Sequence, residues 1–148
     1  MEIKNIEEAF IKEGYVSIPF SFNGVGHPMI KAMLANNVEI NLLLDTGASI
    51  NLLDYEFAKE LNLSLTLTEG KGGGAGGLMF DIYSLDNIIL EINGQVFKFD
   101  SFFSMDLSLM REALTGTGAT EEINGILGFG FFQIQNALLT IQVAEFLF

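Results

Sequence analysis

Leu42-Leu43-Leu44-Asp45-Thr46-Gly47-Ala48-Ser49 is the most informative segment of this chain. An apolar strand runs directly into Asp-Thr-Gly, and Leu52-Leu53 resumes the apolar run soon after. A carboxylate at the end of a buried strand is costly unless hydrogen bonds or chemistry account for it. Thr46 supplies a hydroxyl that can donate to a neighbouring carbonyl or carboxylate. Gly47 lets the backbone turn sharply and approach the carboxylate closely. An ordinary strand-to-turn junction, with the Asp capping the turn, would use the same residues. The apolar flanks on both sides favour the other reading, in which Asp45 is held rigid, ionisable and reachable from a cleft.

A second segment lies far downstream, Asn124-Gly125-Ile126-Leu127-Gly128-Phe129-Gly130-Phe131-Phe132. Together the two segments resemble the retropepsin-like aspartic proteases. There, apolar residues precede Asp-Thr-Gly-Ala-Ser, and an Ile-Leu-Gly segment leads into a short C-terminal helix. In that family two apolar residues and a glycine pass beneath the catalytic loop, and the glycine permits the close packing. The order and separation of the segments fit one retropepsin-like unit. The resemblance covers residues 15–148 and is nearest to the bacterial single-domain aspartyl proteases, which also carry a Gly-rich segment after the first helix. It implies an N-terminal extension over 1–14 and a protease domain over 15–148. Relatives often carry Asp after Ile-Leu-Gly-Phe, where this chain has Gly130. No second Asp-Thr-Gly or Asp-Ser-Gly is present: Asp100-Ser101-Phe102 lacks the glycine, and Thr115-Gly116-Thr117-Gly118 lacks the acid.

Composition narrows the alternatives. The chain has 148 residues, a length that suits one domain with a workable core. Hydrophobic residues make up 49%, so material for that core is plentiful. A formal net charge of −12 repels nucleic acid and anionic lipid, so neither is expected as a partner. The absence of cysteine excludes disulfide frameworks, thiolate metal sites and cysteine catalysis. Glu2, Lys4, Glu7, Glu8, Lys12 and Glu13 break any apolar run that a signal peptide would need, which leans toward a cytoplasmic location. No stretch approaches the roughly 18 consecutive apolar residues of a membrane span.

Periodicity places the elements. Met1–Glu13 reads as a short amphipathic helix with Ile3, Ile6, Phe10 and Ile11 on one side. Tyr15–Phe22 alternates like a half-buried strand, with Pro19 marking an edge or bulge. Asn36-Asn37 turns a hairpin between Met29–Ala35 and Val38–Leu44, and Val38, Ile40, Leu42 and Leu44 share a face. Asp54 caps a helix over Tyr55–Asn62, with Phe57, Ala58 and Leu61 turned inward. Leu63–Thr68, Leu78–Ser84, Leu85–Ile92 and Gln95–Phe103 read as strands, with a hairpin turn at Asn93-Gly94. Asp106–Leu114 suggests a helix capped by Asp106, Thr115–Asn124 a polar loop, Phe129–Gln135 a short helix and Leu138–Phe148 one or two final strands. The sum is a mainly-β, closed-barrel domain with two or three short helices, the retropepsin-like fold that the resemblance implies.

Other chemistry fits poorly. Gly70–Gly77 lacks the G-x-x-x-x-G-K-[ST] of a phosphate loop, because Gly72 follows Lys71. A flexible surface hairpin is the plain reading of that segment, and the resemblance suggests a mobile flap. His27 is the only histidine, and there is no G-x-S-x-G elbow for serine–histidine catalysis. One histidine and no cysteine make a zinc site unexpected, and no calcium loop pattern appears.

The resemblance implies a mechanism, and the mechanism has a consequence. Aspartic protease chemistry needs two carboxylates, one as base activating water and one as acid polarising the scissile carbonyl. Like charges a few ångströms apart cannot both ionise, so the pair shares a proton. A chain with one Asp-Thr-Gly must borrow the second from a two-fold symmetric homodimer. Asp45 is then the catalytic residue, with Thr46 and Gly47 in support. Ala48, Ser49 and the flap residues Gly73, Gly74, Ala75, Gly76, Gly77 and Leu78 would contact the substrate, a peptide or protein. Leu78 and Met79 would cover side-chain subsites. No metal or organic cofactor is required. Leu138–Phe148 is expected to be covered by the second subunit. The alternative is a catalytically silent dimer of the same fold that binds extended peptides or serves as an oligomerisation module.

Overall fold

The three consecutive leucines of the opening stretch are explained by two cores, one on each side of their strand. A computed structural model describes residues 3–73, 77–119, 121–135 and 137. Its elements are α1 (Ile3–Lys12), β1 (Ser21–Phe22), β2 (Pro28–Leu34), β3 (Glu39–Asp45), β4 (Leu52–Asp54) and α2 (Tyr55–Glu60). There follow β5 (Leu65–Gly73), β6 (Met79–Leu85), β7 (Ile89–Ile92), β8 (Gln95–Lys98), β9 (Phe102–Met105), α3 (Ser108–Gly116), β10 (Gly125–Gly128) and α4 (Phe129–Ile134). The strand order is β5-β6-β9-β4-β10-β3-β2-β7-β8, with β1 beside β2. As described, this path has two free ends at β5 and β8. The protein is mainly β with a few short helices, as its sequence predicts.

The centre of the sheet is β4-β10-β3. β10 runs parallel to β3 and antiparallel to β4. Leu42 and Leu44 of β3, Leu53 of β4 and Leu127 of β10 belong to a large first core with Ile30, Ile40, Leu90, Ile92, Phe102 and Phe131. Leu43, Leu52 and Ile126 from the same strands point the other way, into a second core with Met29, Leu107 and Ile123. Strands buried on both faces read as continuous apolar runs rather than alternations. Burying a Leu side chain on each face contributes about 1.5–3 kcal/mol apiece. The β3 strand that delivers Asp45 is therefore among the best-anchored parts of the molecule.

Several boundaries follow local chemistry. Asn37, at φ 61°, turns the β2–β3 hairpin, and Asn93 (φ 49°) with Gly94 (φ 78°) turns β7 into β8. Both are left-handed positions that Asn and Gly adopt at low cost. Asp54 caps α2 through a hydrogen bond from Phe57 N–H. Ala58 is fully buried, and Phe57 and Leu61 pack on the first core.

Other boundaries differ from the sequence reading. Of Tyr15–Phe22 only Ser21 and Phe22 pair, with Met29 and Pro28. Pro19 has no N–H to offer a ladder, although Ile18 and Phe20 still pack against the first core. Leu65 begins a strand that continues through Lys71 and Gly72 to Gly73, well past Thr68. Leu85 closes β6, and a turn with Asn87 at φ 56° separates it from β7. Gln95–Phe103 breaks after Lys98, because Phe99 N–H bonds Ile88 O while Phe102 starts β9 beside different neighbours. The third helix starts at Ser108 and takes in Thr115 and Gly116, shortening the expected loop. The expected final strands at Leu138–Phe148 lie outside the described residues.

Candidate active site

Asp45 is the last residue of β3, in register with Gly128, the last residue of β10. The strand is buried up to Leu44, and the carboxylate then emerges half-exposed. One local hydrogen bond orients it: Gly47 N–H donates to Asp45 Oδ1 at 2.8 Å. A side-chain atom on Gly47 would lie 3.1 Å from that oxygen, tighter than ordinary contact. Ala48 N–H donates to Asp45 O at 3.1 Å and closes the turn. Thr46, Gly47 and Ser49 are exposed, and Ala48 is half-buried. The five residues of the Asp-Thr-Gly-Ala-Ser motif thus run from the end of β3 into one loop, with an accessible carboxylate at its root.

The loop is fastened from beneath by the Ile-Leu-Gly segment. Phe129 N–H donates to Ala48 O at 2.7 Å, and Gly128 N–H donates to Asn51 Oδ1 at 3.0 Å. A Cβ on Gly128 would overlap the carbonyl oxygens of Ala48 and Ile50, so only glycine allows this approach. Gly130 is different. A Cβ there would meet Ser49 O at 3.8 Å, an ordinary contact, so the fold does not require glycine at this position.

Two polar residues missed as part of this frame are Asn51 and Asn124. Asn124 Oδ1 accepts from Asn41 N–H at 2.8 Å, and its backbone bonds Asn41 O and Asp54 N–H. Both residues are buried. The available signal was a lone amide within an apolar run, Ile50-Asn51-Leu52-Leu53 and Asn124-Gly125-Ile126-Leu127. Such an amide must have partners, and here they are backbone groups.

A third buried residue, Asp54, is more than a helix cap. Its Oδ2 accepts from Phe57 N–H at 3.2 Å and meets Arg111 Nη1 at 2.8 Å, while Oδ1 accepts from Leu107 N–H at 3.1 Å. These bonds join β4, α2 and α3. Asp106 does not form the helix cap itself, which falls at Leu107. Its Oδ1 accepts from Ser108 N–H at 2.8 Å. The Ser108 hydroxyl bond, with the backbone bond behind it, holds the Asp106 carboxyl below its ordinary pKa.

The described glycines of the glycine-rich segment lie toward the end of the β5–β6 hairpin. Gly73 pairs with Met79 and Gly72 with Phe80. Gly77 has φ +76°, and Leu78 and Met79 are exposed. Gly74, Ala75 and Gly76 lie outside the described residues. Two extra β5 residues bulge between Leu67 and Lys71, and Lys71 then pairs with Asp81. At the hairpin base Tyr83 stacks on Tyr55 at 4.8 Å, and hydrogen bonding to Tyr55 pushes the Tyr83 pKa up. Gly72 lies against Met105, which packs on the second core together with Ala48 and Ile50. Hairpin and loop therefore border a shared apolar base. Among the described residues no hydrogen bond joins the hairpin end to the Asp45 loop. Two shallow depressions run along α3, lined by residues such as Arg111 and Thr115, and Asp45 lines neither. His27 sits exposed in the β1–β2 turn. Among the described residues no group of His, Cys, Asp and Glu is placed to hold a metal ion.

Comparison with known proteins fits this arrangement. The chain is similar to a retropepsin-like aspartic protease from Rickettsia conorii, with 25% identity and a TM-score of 0.54, covering 80% of this chain and 88% of that one. It is also similar in fold to EIAV protease, solved in complex with an inhibitor, with 21% identity and a TM-score of 0.54, covering 82% of this chain and 99% of that one. No curated protein matches it. A family profile described as aspartyl protease matches residues 30–131, from the middle of β2 into α4, and so takes in both the Asp45 loop and the Ile-Leu-Gly segment. With well over half its length matched, the chain belongs to the aspartyl protease family.

Proposed function

We propose that this protein is an aspartic endopeptidase that works as a homodimer, each subunit contributing one Asp45. The observation that carries the reading is the state of that carboxylate. It stands at the end of a doubly buried strand, oriented by Gly47 N–H and open to solvent, in a chain with one Asp-Thr-Gly. Two such carboxylates across a two-fold axis share one proton, because both cannot ionise at close range. The ionised member takes a proton from water as that water attacks the scissile carbonyl. The protonated member donates to the carbonyl oxygen. The member that took water's proton then gives it to the leaving amine as the C–N bond breaks, and a hydroxyl of the tetrahedral intermediate returns its proton to the other member, so the pair is again singly protonated.

The other residues take roles around this pair. Thr46 braces the two loops against each other, and Gly47 offers its carbonyl to the peptide. Ala48 and Ser49 lie along the substrate backbone. The β5–β6 hairpin, from Gly73 through Gly74, Ala75, Gly76 and Gly77 to Leu78, closes over an extended peptide or protein segment. The protease domain spans 15–148, preceded by an extension over 1–14 that contains α1. The chemistry needs no metal or organic cofactor.

The test is cleavage of a mixed peptide library, with and without the transition-state mimic pepstatin, together with sedimentation of the same sample. Expected are cleavage, inhibition, a dimer, and a bell-shaped pH profile on the acidic side, since activity needs one proton on the pair. A dimer that binds library peptides but cleaves none at any pH would leave the fold as a peptide-binding module.

A further inference from the structure

We propose that Asn51 is the positioning residue of the Asp45 loop. Its side-chain amide sets where the catalytic carboxylate stands by fixing the loop's returning limb to Gly128. The inference rests on the peptidase reading above. Asn51 is 7% exposed, in a segment otherwise given to the two apolar cores. Its Oδ1 accepts from Gly128 N–H at 3.0 Å, with both groups buried. Gly128 is the residue paired with Asp45 across the β10–β3 ladder. On its other side β10 is paired with β4 only at Gly125 and Ile126. Where that ladder stops, the Asn51 side chain supplies the next acceptor.

The arrangement makes the loop a closed frame. Asp45 is fixed at one end by the β3–β10 ladder. Asn51, at the other end, is held to Gly128 by its side chain and to β9 by Phe103 N–H, which donates to Asn51 O at 3.0 Å. Between them Ala48 O receives Phe129 N–H. The contacts of Ala48 and Ile50 with the bare Gly128 backbone leave no slack for a shifted register. Without the amide, Gly128 N–H is a buried donor with no acceptor, and the limb can relieve that only by moving. A shift there is passed to Asp45, whose carboxylate must meet its counterpart at a fixed separation. A misplacement of about 1 Å at a reacting group can cost about a hundredfold in rate.

Two measurements on the full chain test this. In Asn51→Leu, which keeps the volume and removes the acceptor, kcat for the best-cleaved library peptide should fall about ten- to a hundredfold, with KM changed less than about threefold. Asn51→Asp, which restores an acceptor at the same place, should recover kcat to within about tenfold of the wild type. In parallel, amide hydrogen exchange by NMR should find Gly128 protected in the wild type and in Asn51→Asp, and exposed to exchange in Asn51→Leu. If the Leu variant does not fold, Asn51→Ser carries the same two expectations, because its shorter side chain withdraws the acceptor. A folded Asn51→Leu dimer with wild-type kcat, or with Gly128 still protected, overturns the proposal. A wild type that cleaves nothing overturns the peptidase reading instead, and the exchange measurement then decides the clamp alone.

Discussion

Two aspartates end strands that are consecutive in the chain, β3 and β4, and meet opposite environments. Asp54 closes β4 with 1% of its surface exposed, and its oxygens are taken up by two backbone N–H groups and the Arg111 guanidinium. Asp45 closes β3 half-exposed, with Gly47 N–H on one oxygen. Both sit at the end of an apolar run, so burial of the preceding strand does not distinguish them. What distinguishes them is how completely the fold satisfies the carboxylate. A saturated carboxylate is a structural joint, whereas one held in place but left open is available for chemistry.

The strongest way to break that contrast is to neutralise each in turn. Asp45→Asn should keep the Gly47 hydrogen bond, since the amide oxygen still accepts, and so leave folding and dimerisation intact. Activity should fall by at least about a hundredfold, because an amide cannot exchange the proton. Equal turnover by wild type and variant, measured on a library peptide, would remove Asp45 from the mechanism. Asp54→Ala should do the reverse. Removing one partner of a buried pair, and the acceptor for two backbone donors, should lower the free energy of unfolding by about 3 kcal/mol. Arg111→Ala should cost less, because Asp54 keeps its two N–H donors and Arg111 is already partly solvated. Denaturant unfolding of both variants checks the order. If Arg111→Ala were the more damaging, the joint would rest on the arginine.

The β5–β6 hairpin tests the same contrast from another side, as the segment proposed to close over the Asp45 loop. Gly73→Val places a branched side chain where a Cβ would already lie 3.0 Å from Leu78 O. It also stiffens a segment that must open and close in the proposed mechanism. Combined with Gly74→Val, it should reduce activity about tenfold while changing stability by less than about 1 kcal/mol. Unchanged activity in the double variant would mean that this hairpin does not gate the site.

How much of this was legible in the sequence follows the same line. The Asp45 loop and the Ile-Leu-Gly segment were readable because each needs glycine next to specific apolar residues, and that need is written locally. The hairpins at Asn36-Asn37 and Asn93-Gly94 were readable for the same reason, since left-handed turns select their residues. Asp54 was readable only as a helix cap. Its bonds to Leu107 and Arg111 join positions more than fifty residues apart, and no spacing rule signals them. Asn51 was hidden inside an apolar run, where its partner depends on which strand lies alongside. The Tyr15–Phe22 strand failed because alternation predicts which side chains are buried, which Ile18 and Phe20 satisfy, without ensuring that the backbone has a neighbour to pair with.

Asp106 lies between the two extremes and gives the smallest expected effect. It is exposed like a surface residue, yet it is bonded to Ser108 at the start of α3, the helix that carries Arg111 to Asp54. The Ser108 hydroxyl, then its backbone N–H, and to a lesser degree the Arg111 charge favour the ionised form and hold the carboxyl below its ordinary value of 3.8, against a small opposing effect of burial. A folded-state pKa below the unfolded one means that the native protein takes up this proton less readily. The stabilisation is therefore complete above the unfolded value, near pH 4, and is lost as pH falls through the folded one. Because the group is largely solvated, the effect should be under about 1 kcal/mol. The measurement is the difference in unfolding free energy between wild type and Asp106→Asn from pH 6 down to pH 2, which cancels the titration of the other carboxylates. The wild type should be the more stable near pH 6, with the gap constant to about pH 4 and closing below it. A gap that widens on acidification would reverse the sign of the linkage, and Asp106 would then be a carboxylate that the fold tolerates rather than one it uses to start α3.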